Sequence, residues 1–177
     1  MLVVAATERE LAHVRGFETF VCGIGPVEAA LQTARVVAER RPEAVLHVGI
    51  AGGRGLDPLS LVLGSEAVYC DVIDAASTLP RVERVEPDAA FLERVGARIP
   101  DAHVLPIATC GKVGGGTACD VEAMEGFGVL RACALAGVPA LELRVISNSP
   151  DEPDRAKWRF EEAFEKLGAT LGRLDVV

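Results

Sequence analysis

The chain has 177 residues, enough for one domain with a full core and short for two. Half of the residues are apolar and only 5% aromatic, so Ala, Val, Leu and Ile must build a core suited to a sheet buried on both faces. A formal net charge of −8 argues against non-specific nucleic-acid binding, and no polybasic tract points to a membrane surface.

Residues 2–6 (LVVAA) read as a first strand. Charge follows this short apolar run at once, so it is neither a signal peptide nor a membrane span, and the cytoplasm is the default location. Thr7 and Glu10 match the S/T-x-x-E capping box, which gives Glu10 a purely structural reading as well as a chemical one. Residues 18–22 form a second strand, broken by Gly23-Ile24-Gly25-Pro26, and Pro26 opens a helix. On that helix Val27, Ala30, Leu31, Ala34 and Ala38 make an apolar stripe, with Gln32, Arg35 and Glu39 on the other face.

Residues 44–48 are another buried strand, ending in Gly49-Ile50-Ala51-Gly52-Gly53. Two glycine-bearing turns after buried strands imply close backbone approach by a ligand or another chain segment. Neither turn completes a dinucleotide fingerprint or a G-K-[ST] phosphate loop, so no nucleotide cofactor is expected. Residues 65–72 read as a strand, 78–86 as a loop, and 88–98 as a short amphipathic helix opened by Pro87. Residues 103–108 form a strand leading into Thr109-Cys110-Gly111-Lys112-Val113-Gly114-Gly115-Gly116. The triple glycine completes no phosphate motif and is read as a mobile loop lining a site.

The stretch 121–148 organises the rest. Ala123, Phe127, Leu130 and Ala134 recur at helical spacing, and Gly137-Val138-Pro139 ends that helix. Residues 140–146 read as a buried strand in which Glu142 and Arg144 share a face and can pair. On this layout Glu125 lies in the first turns of the helix. Asn148 lies just past the strand's C-terminal end, where ligands bind in open α/β sheets. Residues 151–173 look helical, with Phe160, Phe164, Leu167 and Leu171 on one face, and Trp158 is read as core or interface. Five cysteines without a C-x-x-C pair (Cys22, Cys70, Cys110, Cys119, Cys133) and three scattered histidines (His13, His47, His103) give no disulfide framework and no metal site. Alternating buried strands and amphipathic helices predict a single-domain three-layer α/β sandwich over residues 1–177, with a central mixed, mostly parallel sheet.

Five segments in register resemble the purine nucleoside phosphorylase and methylthioadenosine nucleosidase superfamily. They are Ala5-Ala6-Thr7-Glu8-Arg9-Glu10-Leu11, Cys22-Gly23-Ile24-Gly25, Val48-Gly49-Ile50-Ala51-Gly52-Gly53, Val121-Glu122-Ala123-Met124-Glu125 and Arg144-Val145-Ile146-Ser147-Asn148. Within it, Gly-Ile-Ala-Gly-Gly, Met124-Glu125-Gly126-Phe127 and Ile-Ser-Asn look most like the futalosine hydrolase family, whose members remove hypoxanthine from futalosine on a route to menaquinone. The resemblance implies Glu10 as the base that activates water, Glu125 as the acceptor for the ribose hydroxyls, and Asn148 as the group at purine N7. Met124 would pack on the sugar, Ile50, Ala51 and Gly52 would line it, and Val113 stands where relatives stack an aromatic residue on the base.

The chemistry agrees. N-glycoside cleavage builds positive charge on ribose and negative charge on the base, which a carboxylate and a hydrogen-bonding group respectively relieve. An amide presents both a donor and an acceptor, so Asn148 suits a 6-oxopurine, whereas adenosine-cleaving relatives usually have Asp there. Ile50 stands where a phosphorylase could use a serine, and the Gly23–Pro26 turn brings no Arg or Lys, so water is favoured over phosphate. The alternatives are a phosphorylase, a methylthioadenosine/S-adenosylhomocysteine nucleosidase, and a trimmed nucleoside-binding protein without catalysis. The expected partners are a small nucleoside and a second copy of the chain, a dimer that closes the base pocket.

Overall fold

The computed structural model describes residues 1–72, 76, 78–114 and 117–174. In chain order the elements are β1 (Leu2–Ala5), α1 (Glu8–Leu11), β2 (Glu18–Val21), α2 (Pro26–Arg40), β3 (Val45–Gly53), β4 (Leu61–Tyr69) and β5 (Arg84–Val85). There follow α3 (Ala89–Arg98), β6 (His103–Thr109), β7 (Val121–Ala123), α4 (Gly126–Ala136), β8 (Ala140–Asn148) and, after a 3-10 turn at Arg155–Lys157, α5 (Phe160–Gly172).

The period-2 alternation of the strands sorts side chains into two helical layers. Val3, Leu46, Leu141 and Leu143 pack against Phe91 and Val95 of α3 and Leu167 and Leu171 of α5. Their alternates Leu2, Val4 and Val45 pack against Ala29, Val36 and Val37 of α2 and Val129, Leu130 and Cys133 of α4. The predicted three-layer α/β arrangement with a mixed, mostly parallel sheet is therefore the fold. β1 runs parallel to β2 and β3, β3 to β8, β4 to β6, and β6 to β7. The pairs β3–β7, β4–β8 and β4–β5 are antiparallel. Because β7 returns to β3, the strands β3, β8, β4, β6 and β7 close on themselves. Ala51, Val62, Ile107, Val121 and Ile146 form a third apolar cluster on these closing strands.

Several boundaries differ from the sequence reading, each for a physical reason. The apolar stripe on α2 is present but does not face the core. Val27 and Leu31 are 67% and 63% exposed, and the helix buries Ala29, Thr33, Val36 and Val37 instead. α4 crosses the start of this helix very closely: a Cβ on Gly128 would lie 2.5 Å from the Pro26 carbonyl oxygen and 3.1 Å from the Ala30 nitrogen. β3 does not stop at Val48 but runs through the glycines to Gly53. β4 begins at Leu61, four residues before the predicted start, because a register shift between Gly64 and Glu66 interrupts its pattern. The two-residue β5 falls in the predicted 78–86 loop. Ala123 belongs to the short strand β7, so its match to helical spacing was fortuitous, and Glu125 precedes α4 as its N-cap residue rather than lying in its first turns. Asn148 is the last residue of β8 rather than a residue beyond it. The C-terminal helix starts at Phe160, not 151. Of the predicted glycine loop, Gly115 and Gly116 lie outside the described residues.

Candidate active site

β1, β3 and β8 are mutually parallel, so their C-terminal ends emerge side by side. A cavity of about 460 Å³ opens there, within the size range of small-molecule sites. All eight residues singled out from the sequence line it: Glu10, Ile50, Ala51, Gly52, Val113, Met124, Glu125 and Asn148.

Glu10 comes from α1, and the capping box forms as predicted. Its Oε2 accepts from the Thr7 backbone N–H (3.0 Å) and hydroxyl (2.9 Å), while Oε1 accepts from the Ile50 N–H at 3.3 Å. The carboxylate therefore bridges the start of α1 to Ile50 within β3 and remains on the cavity wall. Glu125 is 5% exposed, and its Oε1 accepts from the Gly25 N–H at 3.0 Å. Gly25 has φ +90°, a conformation that favours glycine, and this aims its N–H at the carboxylate. Burial pushes the Glu125 carboxyl above the usual carboxylate range, opposed by Arg144 and the Gly25 N–H. Asn148 closes the far side. The Ser147 hydroxyl donates to its Oδ1 at 2.7 Å, and its Nδ2 donates to the Ser149 carbonyl at 2.9 Å, which leaves one amide hydrogen for a ligand.

Beneath these groups lies a buried charge network whose centre is Arg144, 1% exposed. Its Nε donates to Glu142 Oε1 at 2.8 Å, and its Nη2 stands 3.6 Å from Glu125 Oε2. The predicted Glu142–Arg144 pair thus forms. Nη2 also lies 2.5 Å from His47 Nε2, whose Nδ1 is 3.1 Å from the Val4 carbonyl oxygen. A neutral His47 that donates from Nδ1 and accepts at Nε2 satisfies both contacts. Burial, then the Arg144 charge, holds the ring well below its ordinary pKa. Burial also raises the Glu142 carboxyl, with Arg144 opposing it. Burial works against the Arg144 charge, but Glu142, Glu125 and Glu10 outweigh it. The network thus sets the acidic side chains of Glu142, Glu125 and Glu10 around a single guanidinium under the cavity floor. Gly49 makes room for it: a Cβ there would fall 2.3 Å from Arg144 Nη1 and 2.4 Å from Glu10 Oε1.

The sequence reading gave no role in the site to His47, Glu122, Ser147, Pro150 or the aromatic wall of Trp158, Phe160 and Phe164. The last six of these line the cavity. Trp158 is a wall residue and not core, held by its ring N–H donating to the Glu152 carbonyl at 3.1 Å. For His47, Glu142 and Arg144 a signal existed: polar side chains inside otherwise apolar strands are paired or functional. Among the described residues no group of His, Cys, Asp and Glu is arranged to hold a metal ion.

The profile of the phosphorylase superfamily matches residues 19–176. Futalosine hydrolase of Thermus thermophilus is 43% identical over 189 residues, covering 90% of this chain and 81% of that protein. Futalosine hydrolase of Streptomyces coelicolor is 32% identical over 186 residues, covering 90% and 78%. Among solved structures, a futalosine hydrolase mutant of Helicobacter pylori superposes with a TM-score of 0.86 at 19% identity, over 98% of this chain and 96% of that one. The 5'-methylthioadenosine/S-adenosylhomocysteine nucleosidase of S. pneumoniae gives 0.85 at 18% identity, over 98% and 97%. These two likenesses establish a shared fold.

Proposed function

The chain belongs to the phosphorylase superfamily, and from that premise we propose that it is a purine nucleosidase that hydrolyses the N-glycosidic bond of a 6-oxopurine nucleoside, with futalosine as its substrate. The observation that carries this reading is the convergence of Glu10, Glu125 and Asn148 on one cavity, in relatives' company that is named for futalosine hydrolysis. Glu10 takes a proton from the attacking water. Glu125 receives the ribose hydroxyls and, with the acidic network below, stabilises the positive charge that develops on the sugar. Asn148 holds the departing base, accepting from a protonated N7 and donating to the 6-oxo group. Met124, Ile50, Ala51 and Gly52 shape the sugar site, and Val113 borders the base. Hypoxanthine and dehypoxanthine futalosine are the products, which places the reaction in menaquinone biosynthesis.

Water rather than phosphate fits this floor. Arg144 is the buried cation there, and Glu142 and Glu125 already neutralise it. A phosphate dianion in the same place would meet Glu10 and Glu125. The test is release of free base from futalosine, inosine and methylthioadenosine side by side, with and without phosphate. Phosphate-independent hypoxanthine release is expected. Dependence on phosphate, with ribose 1-phosphate chemistry in the product, would overturn hydrolysis. Preference for methylthioadenosine would favour the nucleosidase activity that another relative, 30% identical over 123 residues, is named for.

The working unit is a homodimer in the cytoplasm. Val27 and Leu31 present the outward stripe of α2, and Ile24, 63% exposed at the base of that helix, also lines the cavity. A second copy seated on this stripe covers apolar surface and closes the cavity mouth in one step. The five thiols are all free, as suits a reducing compartment.

A further inference from the structure

Glu142 and His47 are fully buried polar residues of the floor that the mechanism above leaves without a task of their own. We infer that Glu142 is a positioning residue: with His47 it holds the Arg144 guanidinium off Glu125, and so keeps Glu125 Oε2 open to the ribose hydroxyls. The inference rests on the purine-nucleosidase reading of the site.

The sheet sets these groups on one face. His47 of β3 lies in register with Glu142 of β8, and Arg144 follows two residues on. The guanidinium is thereby held at three points. Its Nε donates to Glu142 Oε1 at 2.8 Å, Nη2 lies 2.5 Å from His47 Nε2, and Nη1 reaches the Ile50 carbonyl at 3.4 Å. His47 is itself fixed, by the contact of its Nδ1 with the Val4 carbonyl at 3.1 Å. Held in this way, Nη2 stops 3.6 Å from Glu125 Oε2, outside hydrogen-bond reach. A movement of roughly 0.7 Å would close the gap to an ordinary hydrogen bond. Glu125 Oε1 already accepts from the Gly25 N–H at 3.0 Å, so Oε2 is the oxygen left for substrate. A guanidinium in direct contact with Oε2 would compete with the ribose for it.

Glu142 is enclosed so that it keeps this grip. A Cβ on Gly126, the residue after Glu125, would lie 2.0 Å from Glu142 Oε2 and 2.4 Å from Oε1. A Cβ on Gly64 would lie 3.4 Å from the Glu142 Cβ on another side. Two glycines thus make the slot that the carboxyl fills. Among the described residues Glu142 Oε2 has no hydrogen-bond partner. Leaving a buried oxygen unpaired is costly, and the grip of Oε1 on Arg144 is what the site gains from that burial.

The experiment measures binding by calorimetry over a pH series. One ligand is 9-deazainosine, whose carbon–carbon link between base and sugar cannot be hydrolysed; the other is 9-deazahypoxanthine, the same base without ribose. The full-length wild type is compared with Glu142→Leu, Glu142→Gln and the double variant Glu142→Leu with Arg144→Met. Glu142→Leu should bind the nucleoside ~10–100-fold more weakly, the span of a hydrogen bond to a charged group, and bind the base as the wild type does. Glu125 faces Arg144 and Glu142 of β8, Glu10 of α1, the Cys22 thiol after β2 and the Gly25 N–H. In Glu142→Leu the cation moves closer, which favours the ionised carboxyl, so the acid limb of nucleoside binding should shift to lower pH. The double variant has no guanidinium to seize Glu125 and should regain nucleoside affinity over Glu142→Leu at the alkaline end of the series. Glu142→Gln keeps a neutral acceptor that holds Nε less firmly, so it should show the same ribose-selective loss at ~3–10-fold. That variant decides the matter if Glu142→Leu does not fold. Equal losses for nucleoside and base, or no loss for either ligand in Glu142→Gln, with base release from inosine intact, overturn the role of Glu142 and leave the nucleosidase standing. Absence of base release from every nucleoside tried, with the ribose-selective loss present, overturns the nucleosidase and supports Glu142 as the residue that keeps Glu125 open.

Discussion

Replacing Arg144 by Met removes the cation from beneath three carboxylates while keeping much of its apolar volume. Its side chain is 1% exposed, and its partners Glu142 and Glu125 are 0% and 6% exposed, so water cannot take over its role. Removing one partner of such a buried pair costs about 3–5 kcal/mol. For a chain of this length each kcal/mol lowers the melting temperature by roughly 2–4 °C, so the variant should melt on the order of 6–20 °C lower. Most of that loss belongs to Glu142, in direct contact at 2.8 Å, rather than to Glu125 at 3.6 Å. The double change Glu142→Leu with Arg144→Met should therefore recover the larger share of the loss.

The pH dependence has a definite sign. Glu125 and Glu142 are raised above their usual value by burial, so the folded state holds their protons more tightly than the unfolded chain does. Their stabilising protonation is present at low pH and is lost as pH rises through the raised values. Arg144 opposes the shift at both sites, so its removal raises them further. The destabilisation of Arg144→Met should therefore shrink as pH falls towards the range where both carboxyls are protonated and grow as pH rises. The acid limb of hydrolysis should move to higher pH, because the proposed mechanism needs Glu125 ionised to receive the ribose hydroxyls. Thermal melts and kcat/KM profiles across this range read both effects. A variant that melts with the wild type, or whose loss grows on acidification, would refute the network as described.

Glu10→Gln should lower kcat by ~10²–10⁴-fold in a base-release assay, with little change in melting temperature because glutamine also completes the capping box. Gly49→Ala should impair both activity and melting temperature, since its methyl would collide with Arg144 and Glu10 together. Asn148→Asp should move preference from hypoxanthine-type to adenine-type nucleosides, read as the ratio of kcat/KM for futalosine and methylthioadenosine. Leu31→Lys should shift the chain to monomer in sedimentation at micromolar concentration and reduce turnover through the cavity mouth, where Ile24 stands.

Much of the fold was legible because most strands are long enough to show their periodicity and are buried on both faces. β1, β3 and β8 stand out as apolar runs, and the helix stop at Gly137 is a left-handed residue with φ +69°. What failed was local and physical. The three-residue β7 is too short for any period to show, which misplaced Glu125 by one element. The stripe on α2 was read from apolar spacing, whereas the helix turns Ala29, Thr33, Val36 and Val37 inward and meets α4 at Gly128 through Pro26 and Ala30. Glu122 escaped notice because its partners are set by register: its neighbour Gly52 is seventy residues away, and pairing across a closed sheet leaves no trace in spacing.

Glu10 shows why one pattern supported two readings that looked exclusive. The S/T-x-x-E spacing signals a helix cap, and the cap is there, but a carboxylate has two oxygens. Thr7 engages Oε2, while Oε1 meets the Ile50 N–H at the cavity wall. The cap fixes the rotamer that presents Oε1, so the structural bond prepares the chemical one. Such preorganisation by neighbouring hydrogen bonds is what the general-base role proposed for Glu10 would require. The same logic extends to Glu125, which the Gly25 N–H orients from outside its own element. At both carboxylates the bond that a purely structural account would cite is also the bond that holds the group in the place the proposed mechanism requires.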